Sequence, residues 1–389
     1  MKNSSLHKVA RRLFAVVGLL GVAGVAAVWL GSEALLRPLE FSEGYPLQVQ
    51  AVSSDSITLS RHSGSLLRGT YSLEWLGGHG LLGPIQRETS LGVTRRFRSS
   101  GGQLERGEKV RVSTSVRADN PRSTYGLKYQ TVQVPAELGA LPSWQVWVTG
   151  RVTSSSTSWV VMAHGRAGGP QEAIHLTGAL HRMGWNVLVM RYRNDPDAPR
   201  STDGLYHLGD TEWRDLEAGV RYVLERRAQR VVLYGISTGG NLAATLLVRS
   251  TLRGKINALV LDAPALSWRS ILDRRARALH LPTWTVTPVV WLAERRAQLD
   301  LERIEYTRVQ SLPRLPTLIF HGQDDQIVPL ESSQRFADIH PWTEFHAVAN
   351  AMHLQAWNVN PNAYEATLER FLVRLPGAEV LPSKRLSAP

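Results

Sequence analysis

Cysteine is absent from all 389 residues of the chain. Its absence excludes disulfide bridges, thiolate metal sites and a cysteine nucleophile, and it leaves the redox compartment open. Acidic residues are also scarce, with 33 Asp and Glu against 45 Lys and Arg, for a formal net charge of +12. A basic chain can bind nucleic acid, but here the arginines are scattered, and no nucleic-acid-binding motif is present. We therefore expect no nucleic-acid partner.

Charge is missing altogether from one stretch near the N-terminus. Residues 13–32 contain no charged side chain, and Lys and Arg precede them. About 20 apolar residues in a helix span the roughly 30 Å core of a bilayer. By the positive-inside rule, the pattern predicts a cytoplasmic basic tail over 1–12 and a transmembrane signal-anchor helix over 13–32. The rest of the chain is then expected outside the cell membrane, held to it by a single pass.

A cleaved signal peptide is the alternative reading of the same segment. Ser32-Glu33-Ala34 has the small-x-small pattern of a cleavage site, and cleavage there would release a secreted protein. The apolar core of a signal peptide is usually about 7–15 residues, which is shorter than this run. The length favours the uncleaved anchor.

Residues 33–143 are expected to form a small β-rich domain and a linker. Alternating or β-branched runs occur at 47–52, 57–60, 70–75, 110–114 and 129–134, separated by Gly, Ser, Asn and Asp clusters. This pattern predicts an antiparallel sheet or sandwich, with the linker at 135–142. No constellation of acid, base or metal ligands stands out, so a structural role is favoured over a platform that controls access to the catalytic domain.

Residues 144–389 alternate apolar strands with amphipathic helices, which predicts an α/β fold with a doubly wound, mostly parallel sheet. The predicted strands are 159–162, 186–191, 231–234, 258–261, 317–320 and 344–348. Residues 268–306 form an insertion that mixes arginines with Leu, Val and Trp. An insertion at this edge of the sheet is the usual place for a helical lid, and a basic surface helix pair is the alternative.

The predicted catalytic serine is Ser237, in the run Gly235-Ile236-Ser237-Thr238-Gly239. A strand precedes this run and a helix-forming stretch follows it, so the serine lies at a sharp strand-to-helix turn. Glycines on both sides let the two backbones approach each other. An ordinary turn has no need of this combination.

A glycine-rich turn follows the first predicted strand of this region, at His164–Gly169. Such a loop directs a backbone N–H group toward the serine across the sheet. With the N–H of the residue after the nucleophile, it supplies two donors for an oxyanion. We assign these donors to the backbones of Arg166 and Thr238, and we expect His164 itself to be structural.

The general base is predicted at His353, in the loop after the last strand. Its acid partner should follow a late strand and precede it in the chain, where Asp324 and Asp325 are adjacent. Neighbouring residues in an extended turn point in different directions, so only one of the two can orient the imidazole. Asp262, at the end of an earlier strand, is a third possible acid.

The ordered set of His164-Gly165, the Ser237 run, the Asp324-Asp325 pair and His353 resembles the α/β-hydrolase superfamily over residues 144–375. Within it, the chain is most similar to bacterial membrane-anchored hydrolases of unknown substrate. It is more distantly similar to prolyl-oligopeptidase-type serine peptidases, although it has no repeats of propeller length.

The resemblance implies a serine hydrolase with a Ser237-His353-Asp325 triad. The spacing from Gly322 to Val328-Pro329 in the family motif places the acid at Asp325 rather than Asp324. The chemistry proceeds through an acyl-enzyme and needs no metal or organic cofactor. A small carboxylic ester is the expected substrate. Peptide or amide cleavage, and acyl transfer to an envelope component, are the alternatives.

Overall fold

The computed structural model describes residues 21–37, 44–113, 120–148, 157–308 and 312–376. The strands are β1 Leu47–Val52, β2 Ser56–Ser60, β3 Tyr71–Trp75, β4 Gly78–Glu88, β5 Gly92–Gly101, β6 Lys109–Ser113, β7 Tyr129–Ala136, β8 Gly139–Val146, β9 Ser158–Ala163, β10 Asn186–Met190, β11 Arg230–Ile236, β12 Ala258–Asp262, β13 Thr317–Gly322 and β14 Thr343–Val348. The α-helices are α1 within 21–36, α2 Pro121–Tyr125, α3 Ile174–Arg182, α4 Trp213–Glu225, α5 Thr238–Arg249, α6 Trp268–Ala278, α7 Val286–Ala297, α8 Leu330–Ile339, α9 Ala356–Val359 and α10 Pro361–Val373.

The first six strands form a closed barrel, where the sequence predicted an antiparallel sheet or sandwich. Their order is β1-β2-β5-β4-β3-β6, and β1 closes the ring by pairing with both β2 and β6. Alternate residues point inward and form one apolar core: Leu47, Val49, Ile57, Leu59, Tyr71, Leu73, Trp75, Leu82, Phe97 and Val110. Closure leaves the small sheet without exposed strand edges.

Two of the barrel strands, β4 and β5, were not predicted. Gly78, Gly80 and Gly83 interrupt the alternation in β4, and β5 carries Arg95 on its inner face. Arg95 is fully buried and donates to the carbonyl oxygens of Leu67 at 2.6 Å and Gly69 at 2.7 Å. Burial lowers the pKa of Arg95 to about 10. A buried arginine that is satisfied only by backbone carbonyls has no signature in hydrophobic periodicity.

The other eight strands form the sheet β14-β13-β12-β11-β9-β10-β8-β7. Strands β9 to β14 are parallel neighbours, whereas β8 runs antiparallel to β10 and β7 antiparallel to β8. All six strands predicted for this region are present as β9 to β14. The β-rich region expected over 33–143 includes β7 and the start of β8, which join this larger sheet and not the barrel. The expected linker at 135–142 is instead the end of β7, a two-residue turn and the start of β8.

Residues 13–20 of the predicted transmembrane segment lie outside the described residues, and its remainder belongs to α1. Residues 21–27 of α1 are exposed, whereas Ser32, Leu35 and Leu36 are buried against the larger domain. None of the helices in the described ranges is both long enough and apolar enough to cross a membrane.

Candidate active site

Ser237 occupies the turn between β11 and α5, at the centre of the sheet. Its φ of +50° is a conformation that non-glycine residues seldom adopt, and such strain clusters at functional sites. A side chain at Gly239 would overlap the carbonyl oxygen of Ala163, and one at Gly235 would lie 2.5 Å from the Cα of Gly240. Both glycines are therefore required by close backbone approach. Within 230–247, Ser237 alone is not buried.

Three side chains from three different loops meet at the carboxyl edge of the sheet. His353 Nε2 lies 3.1 Å from the Oγ of Ser237, and His353 Nδ1 lies 2.7 Å from the Oδ2 of Asp325. The loops follow β11, β13 and β14. In this geometry the Nδ1–H donates to the carboxylate, which leaves Nε2 free to accept the serine proton. The structure thus brings together the three residues predicted as nucleophile, base and acid.

Asp325 is held by its own loop. Its Oδ1 accepts hydrogen bonds from the backbone N–H groups of Ile327 at 2.8 Å and Val328 at 2.9 Å. Burial raises the pKa of Asp325, but hydrogen bonds from His321 and His353 outweigh that effect and hold the pKa well below its usual range. Asp325 is therefore ionised at neutral pH, whereas the adjacent Asp324 is exposed.

The loop at His164–Gly169 lies against the serine on the opposite flank. A side chain at Gly165 would lie 3.2 Å from both the Cβ of Ser237 and a carboxylate oxygen of Glu172. The N–H of Gly165 donates to that carboxylate at 2.7 Å. The backbone N–H groups of Arg166 and Thr238 donate to no acceptor in the described residues. Both are the predicted oxyanion donors.

His164 is buried and supports this loop from beneath. Its Nε2 lies 2.8 Å from Asp195 Oδ2 and its Nδ1 lies 2.8 Å from the carbonyl oxygen of Gly165. Burial lowers the pKa of His164, but Asp195 and Glu172 outweigh it, so the pKa is raised above its ordinary value. Both ring nitrogens face acceptors, as expected for an imidazolium. Its position agrees with a structural role.

Asp262, the third predicted acid, lies inside the sheet rather than at His353. Its Oδ2 accepts a hydrogen bond of 2.8 Å from the hydroxyl of Tyr364, which also contacts the hydroxyl of Tyr234. Burial raises the pKa of Asp262 to about 6. The structure therefore brings Asp325, and not Asp262 or Asp324, to the imidazole.

Comparisons with known proteins agree with this geometry. A profile described as the prolyl oligopeptidase family matches residues 201–373, and one described as a domain of unknown function, DUF8805, matches 48–113. The chain is 24% identical to the uncharacterized protein YqkD of Bacillus subtilis over 195 residues, which are 49% of this chain and 63% of YqkD. It is 23% identical to the uncharacterized protein YfhR of Escherichia coli over 207 residues, 53% of this chain and 66% of YfhR. Each match spans less than two thirds of the relative's length.

Solved structures show the same fold at low sequence identity. The Pyrococcus furiosus esterase Pf2001 aligns with a TM-score of 0.50 at 22% identity, over 66% of this chain and 94% of the esterase. A puromycin-hydrolyzing peptidase of Mycobacterium tuberculosis aligns with a TM-score of 0.53 at 15% identity, over 85% of this chain and 48% of the peptidase. The match to the prolyl oligopeptidase family and the fold shared with these structures support an α/β-hydrolase of the serine hydrolase type.

His321 is a part of this hydrolase that sequence reasoning missed. Its Nε2 lies 3.2 Å from Asp325 Oδ2 and 3.1 Å from the carbonyl oxygen of Val328, and its Nδ1 lies 2.7 Å from the hydroxyl of Ser333. Asp325 is thus contacted by two imidazoles, one buried and one at the serine. The spacing of four residues between His321 and Asp325 was the available signal.

The side chain of Arg166 joins the hydrolase site to α1. Its guanidinium donates to the carbonyl oxygens of Ala34, at 3.2 Å, and of Leu35, which are among the last carbonyls of that helix. A cation at this position satisfies groups that have no partner within the helix, and it complements the helix dipole. The residue whose backbone was predicted to donate to the oxyanion therefore also caps the N-terminal helix.

The barrel contacts the hydrolase domain just beyond the base. The hydroxyl of Tyr71 donates to Gln355 at 3.1 Å, and the N–H of Thr70 donates to the carbonyl oxygen of Asn358 at 2.8 Å. Both partners lie within five residues of His353. The barrel thus supports the segment that follows the base, which favours the structural role expected for it.

A cleft of about 450 Å³ lies beside the site, between α6 and α8. It is lined by Ser267, Arg269, Ser270, Asp273, Arg274, Arg277, Glu302, Glu305, Thr307, Arg308, Pro329, Glu331, Ser332 and Arg335. It contains none of Ser237, Asp325 and His353. In the described part of the chain, no three His, Cys, Asp or Glu side chains are grouped so as to hold a metal ion.

Proposed function

We propose that this hydrolase is anchored in a membrane and cleaves a carboxylic ester through Ser237, His353 and Asp325. The observation that carries the proposal is the continuous relay from Ser237 Oγ through His353 to Asp325, at 3.1 and 2.7 Å. Among the described serines of the hydrolase domain, no other combines an imidazole partner of this kind with a strained turn and a helix N-terminus.

In the proposed reaction, Ser237 Oγ attacks the acyl carbon and its proton passes to His353 Nε2. The N–H groups of Arg166 and Thr238 donate to the oxyanion that forms. Collapse of this intermediate breaks the bond to the alcohol, which leaves with the proton from His353. Water then attacks the acyl-enzyme, gives its proton to His353 and releases the acid with free Ser237. Asp325 fixes the imidazole tautomer throughout.

The first test replaces Ser237 with Ala and measures ester turnover and covalent labelling by a fluorophosphonate. We expect both to be lost while the fold is kept, because the replacement is small and the flanking glycines remain. Thr238→Ala is the matched control, since it removes the next hydroxyl and keeps the backbone N–H. Labelling of the Ser237→Ala protein at the level of the control would refute the nucleophile.

Peptide cleavage is the second candidate, and the profile of the prolyl oligopeptidase family over 201–373 favours it. Both reactions use the same relay, so the substrate must be distinguished by kinetics. We expect p-nitrophenyl esters to give a higher kcat/KM than aminoacyl p-nitroanilides, when both are assayed on the full chain. The reverse ranking would support a peptidase. Acyl transfer predicts instead that an added alcohol competes with water for the acyl-enzyme.

Membrane anchoring is supported by the surface of α1. Residues 21–27 are all apolar and all exposed, so they ring the helix with apolar surface that water solvates poorly. Cleavage after Ala34 would remove the segment that ends there. It would also break the contacts of Arg166 with Ala34 and of Arg296 with Ser32 and Glu33. These contacts favour an uncleaved anchor over a signal peptide.

The anchor is tested by fractionation of intact cells and by N-terminal sequencing. We expect the protein in the membrane fraction, with its catalytic domain digested by protease added outside. Val22→Arg should weaken anchoring, because a charge within such a segment costs about 3 kcal/mol on insertion scales. Leu76→Arg, on the exposed barrel surface, is the control. A mature N-terminus near Leu35 would show that the segment is cleaved. If the protease digests the catalytic domain only after the cells are lysed, the domain lies inside the cell and the proposed orientation is wrong.

A further inference from the structure

The helices α6 and α7, together with the segment that joins them, carry an unusual outer surface for a domain in water. Trp284 is 70% exposed and Trp291 is 57% exposed, and Leu279 and Leu281 are also exposed. On α7, residues Val286, Val290, Ala293 and Ala297 face the core, which leaves Trp291 and Arg295 on the outer face, one turn apart. Trp291 therefore occupies a position that an amphipathic surface helix usually gives to a polar residue, and Leu279, Leu281 and Trp284 are exposed in the connection between the two helices.

Positive charge surrounds these apolar side chains. The segment 268–297 contains six arginines against Asp273 and Glu294, a net charge of +4. Arg275, Arg277 and Arg295 are exposed, and none of them forms an ion pair with a described residue. Exposed Trp and Leu set among unpaired arginines are typical of surfaces that lie in the interface of an anionic bilayer.

The same surface is continuous with α1. Gly31 packs on Val289, the guanidinium of Arg296 lies 4.1 Å from the ring centre of Trp29, and Arg296 also contacts Glu33. Trp29 is itself 51% exposed. The exposed tryptophans of α1 and α7 thus lie on two helices that are in contact with each other.

The surface also lies next to the catalytic loops. The guanidinium of Arg274, on α6, donates to the backbone carbonyl of Asp325 at 3.1 Å. The C-terminal end of α1 is separated from the loop beside Ser237 by the length of one side chain, that of Arg166. A membrane that contacts α1 and α7 would therefore lie close to the reacting serine.

We propose that α6, α7 and the segment between them form a second membrane contact, which inserts Trp284 and Trp291 into the interface of an anionic bilayer beside the anchor. The contact places the Ser237 site at the membrane surface, where acyl esters of bilayer lipids are the accessible substrates. The proposal deepens the proposed function, because it rests on the anchor and on ester cleavage. Its occupant is an anionic lipid surface rather than a second protein.

The absence of cysteine makes a direct test possible. The full chain carrying Trp284→Cys, labelled with an environment-sensitive fluorophore, is reconstituted in vesicles of phosphatidylcholine with phosphatidylglycerol. We expect a blue-shifted emission that nitroxide-labelled lipid headgroups quench. Leu91→Cys is the matched control, because Leu91 is 79% exposed but belongs to the barrel and not to the surface of α6 and α7. Its label should stay in water.

A charge variant tests the preference for anionic lipid. Arg275→Gln together with Arg277→Gln should remove most of the quenching at position 284, as should vesicles of phosphatidylcholine alone. Arg96→Gln together with Arg98→Gln, two exposed arginines on the barrel, is the control and should leave it unchanged. Quenching that is equal for both double variants, for the unchanged protein and for vesicles of phosphatidylcholine alone would overturn the preference for an anionic surface.

Turnover in the same vesicles separates this proposal from the proposed function. Trp284→Ser with Trp291→Ser should lower the hydrolysis of a bilayer-resident ester severalfold and leave that of a soluble short-chain ester unchanged. If the 284 label stays in water while the wild type turns over the soluble ester, the second contact is wrong and the hydrolase assignment stands. If the label enters lipid but no ester is cleaved, the assignment fails instead. A label shift that depends on the protein-to-lipid ratio would indicate a second copy on this surface and would overturn the proposal.

Discussion

The two flanks of Ser237 are held in place by different parts of the molecule. On the acid flank, Asp325 is buried and contacted by His321, His353 and two backbone N–H groups of its own loop. On the oxyanion flank, the loop of Arg166 is tied through its side chain to α1, which lies outside the sheet. One flank is closed within the hydrolase domain, and the other depends on the N-terminal helix.

The two flanks therefore differ in which part of the molecule can disturb them. The acid flank sets the tautomer and charge of the imidazole, and nothing in its contacts involves α1. The oxyanion flank can be displaced by any change in α1, because a shift of that helix moves the capped carbonyls and the guanidinium with them. We therefore expect a change in α1 to influence turnover through the oxyanion flank.

Asp325→Asn breaks the acid flank and should give the largest effect. Asparagine can present an amide N–H to His353 and so stabilise the wrong tautomer, and the equivalent change in a comparable triad costs about 10⁴-fold in kcat. Asp324→Asn should be much milder, since Asp324 is exposed. The kcat of the two variants on one soluble ester decides the matter. Reversed effects would mean that the acid is Asp324.

Asp262→Asn tests the buried interior behind the acid flank. The folded-state pKa of about 6 is higher than the value of about 3.9 in an unfolded chain, so the folded state binds the extra proton between these values. The wild type therefore loses stability as pH rises from about 4 to 6, by roughly 3 kcal/mol, and the loss is constant above that range. Asparagine does not titrate and should remove this dependence.

The measurement for Asp262→Asn is the difference in urea-unfolding free energy between variant and wild type at pH 5 and pH 8. The difference should move in favour of the variant at pH 8, whatever its sign at pH 5. Asp324→Asn, an exposed acid, serves as the control with little change between the two pH values. An unchanged difference for Asp262→Asn would show that its carboxyl has an ordinary pKa in the folded protein.

The sequence was most informative where local pattern and chemistry coincide. The strands β9 to β14 are continuous apolar runs, and the turn at Ser237 needs glycines that the sequence displays, so both were predictable. The order of Ser237, Asp325 and His353 in the chain was enough to expect them at one edge of the sheet.

The remaining features depend on partners that are distant in the sequence. The bond from Arg166 to Ala34 joins residues 132 positions apart, and no periodicity identifies it. Strand β7 has the same alternation of apolar and polar residues as the barrel strands. This alternation predicts a strand, but it does not indicate which sheet the strand joins. Arg95 is inside the barrel because carbonyls from other segments surround it, which its own neighbours in the chain do not reveal.

Arg166→Gln breaks the oxyanion flank without removing its N–H and should give the smallest of these effects. Loss of an entire oxyanion donor costs about 10²–10³ in kcat. A donor that is present but less firmly held should cost less, about tenfold, with KM unchanged. The pH dependence of kcat should also stay unchanged, because the contacts of Asp325 and His353 are intact.

Arg296→Gln is the matched control, since it removes contacts to Ser32 and Glu33 of α1 but does not touch the oxyanion loop. Equal losses for the two arginines would mean that α1 acts on the domain as a whole, whereas full activity of Arg166→Gln would show that the oxyanion flank is as independent of the helix as the acid flank.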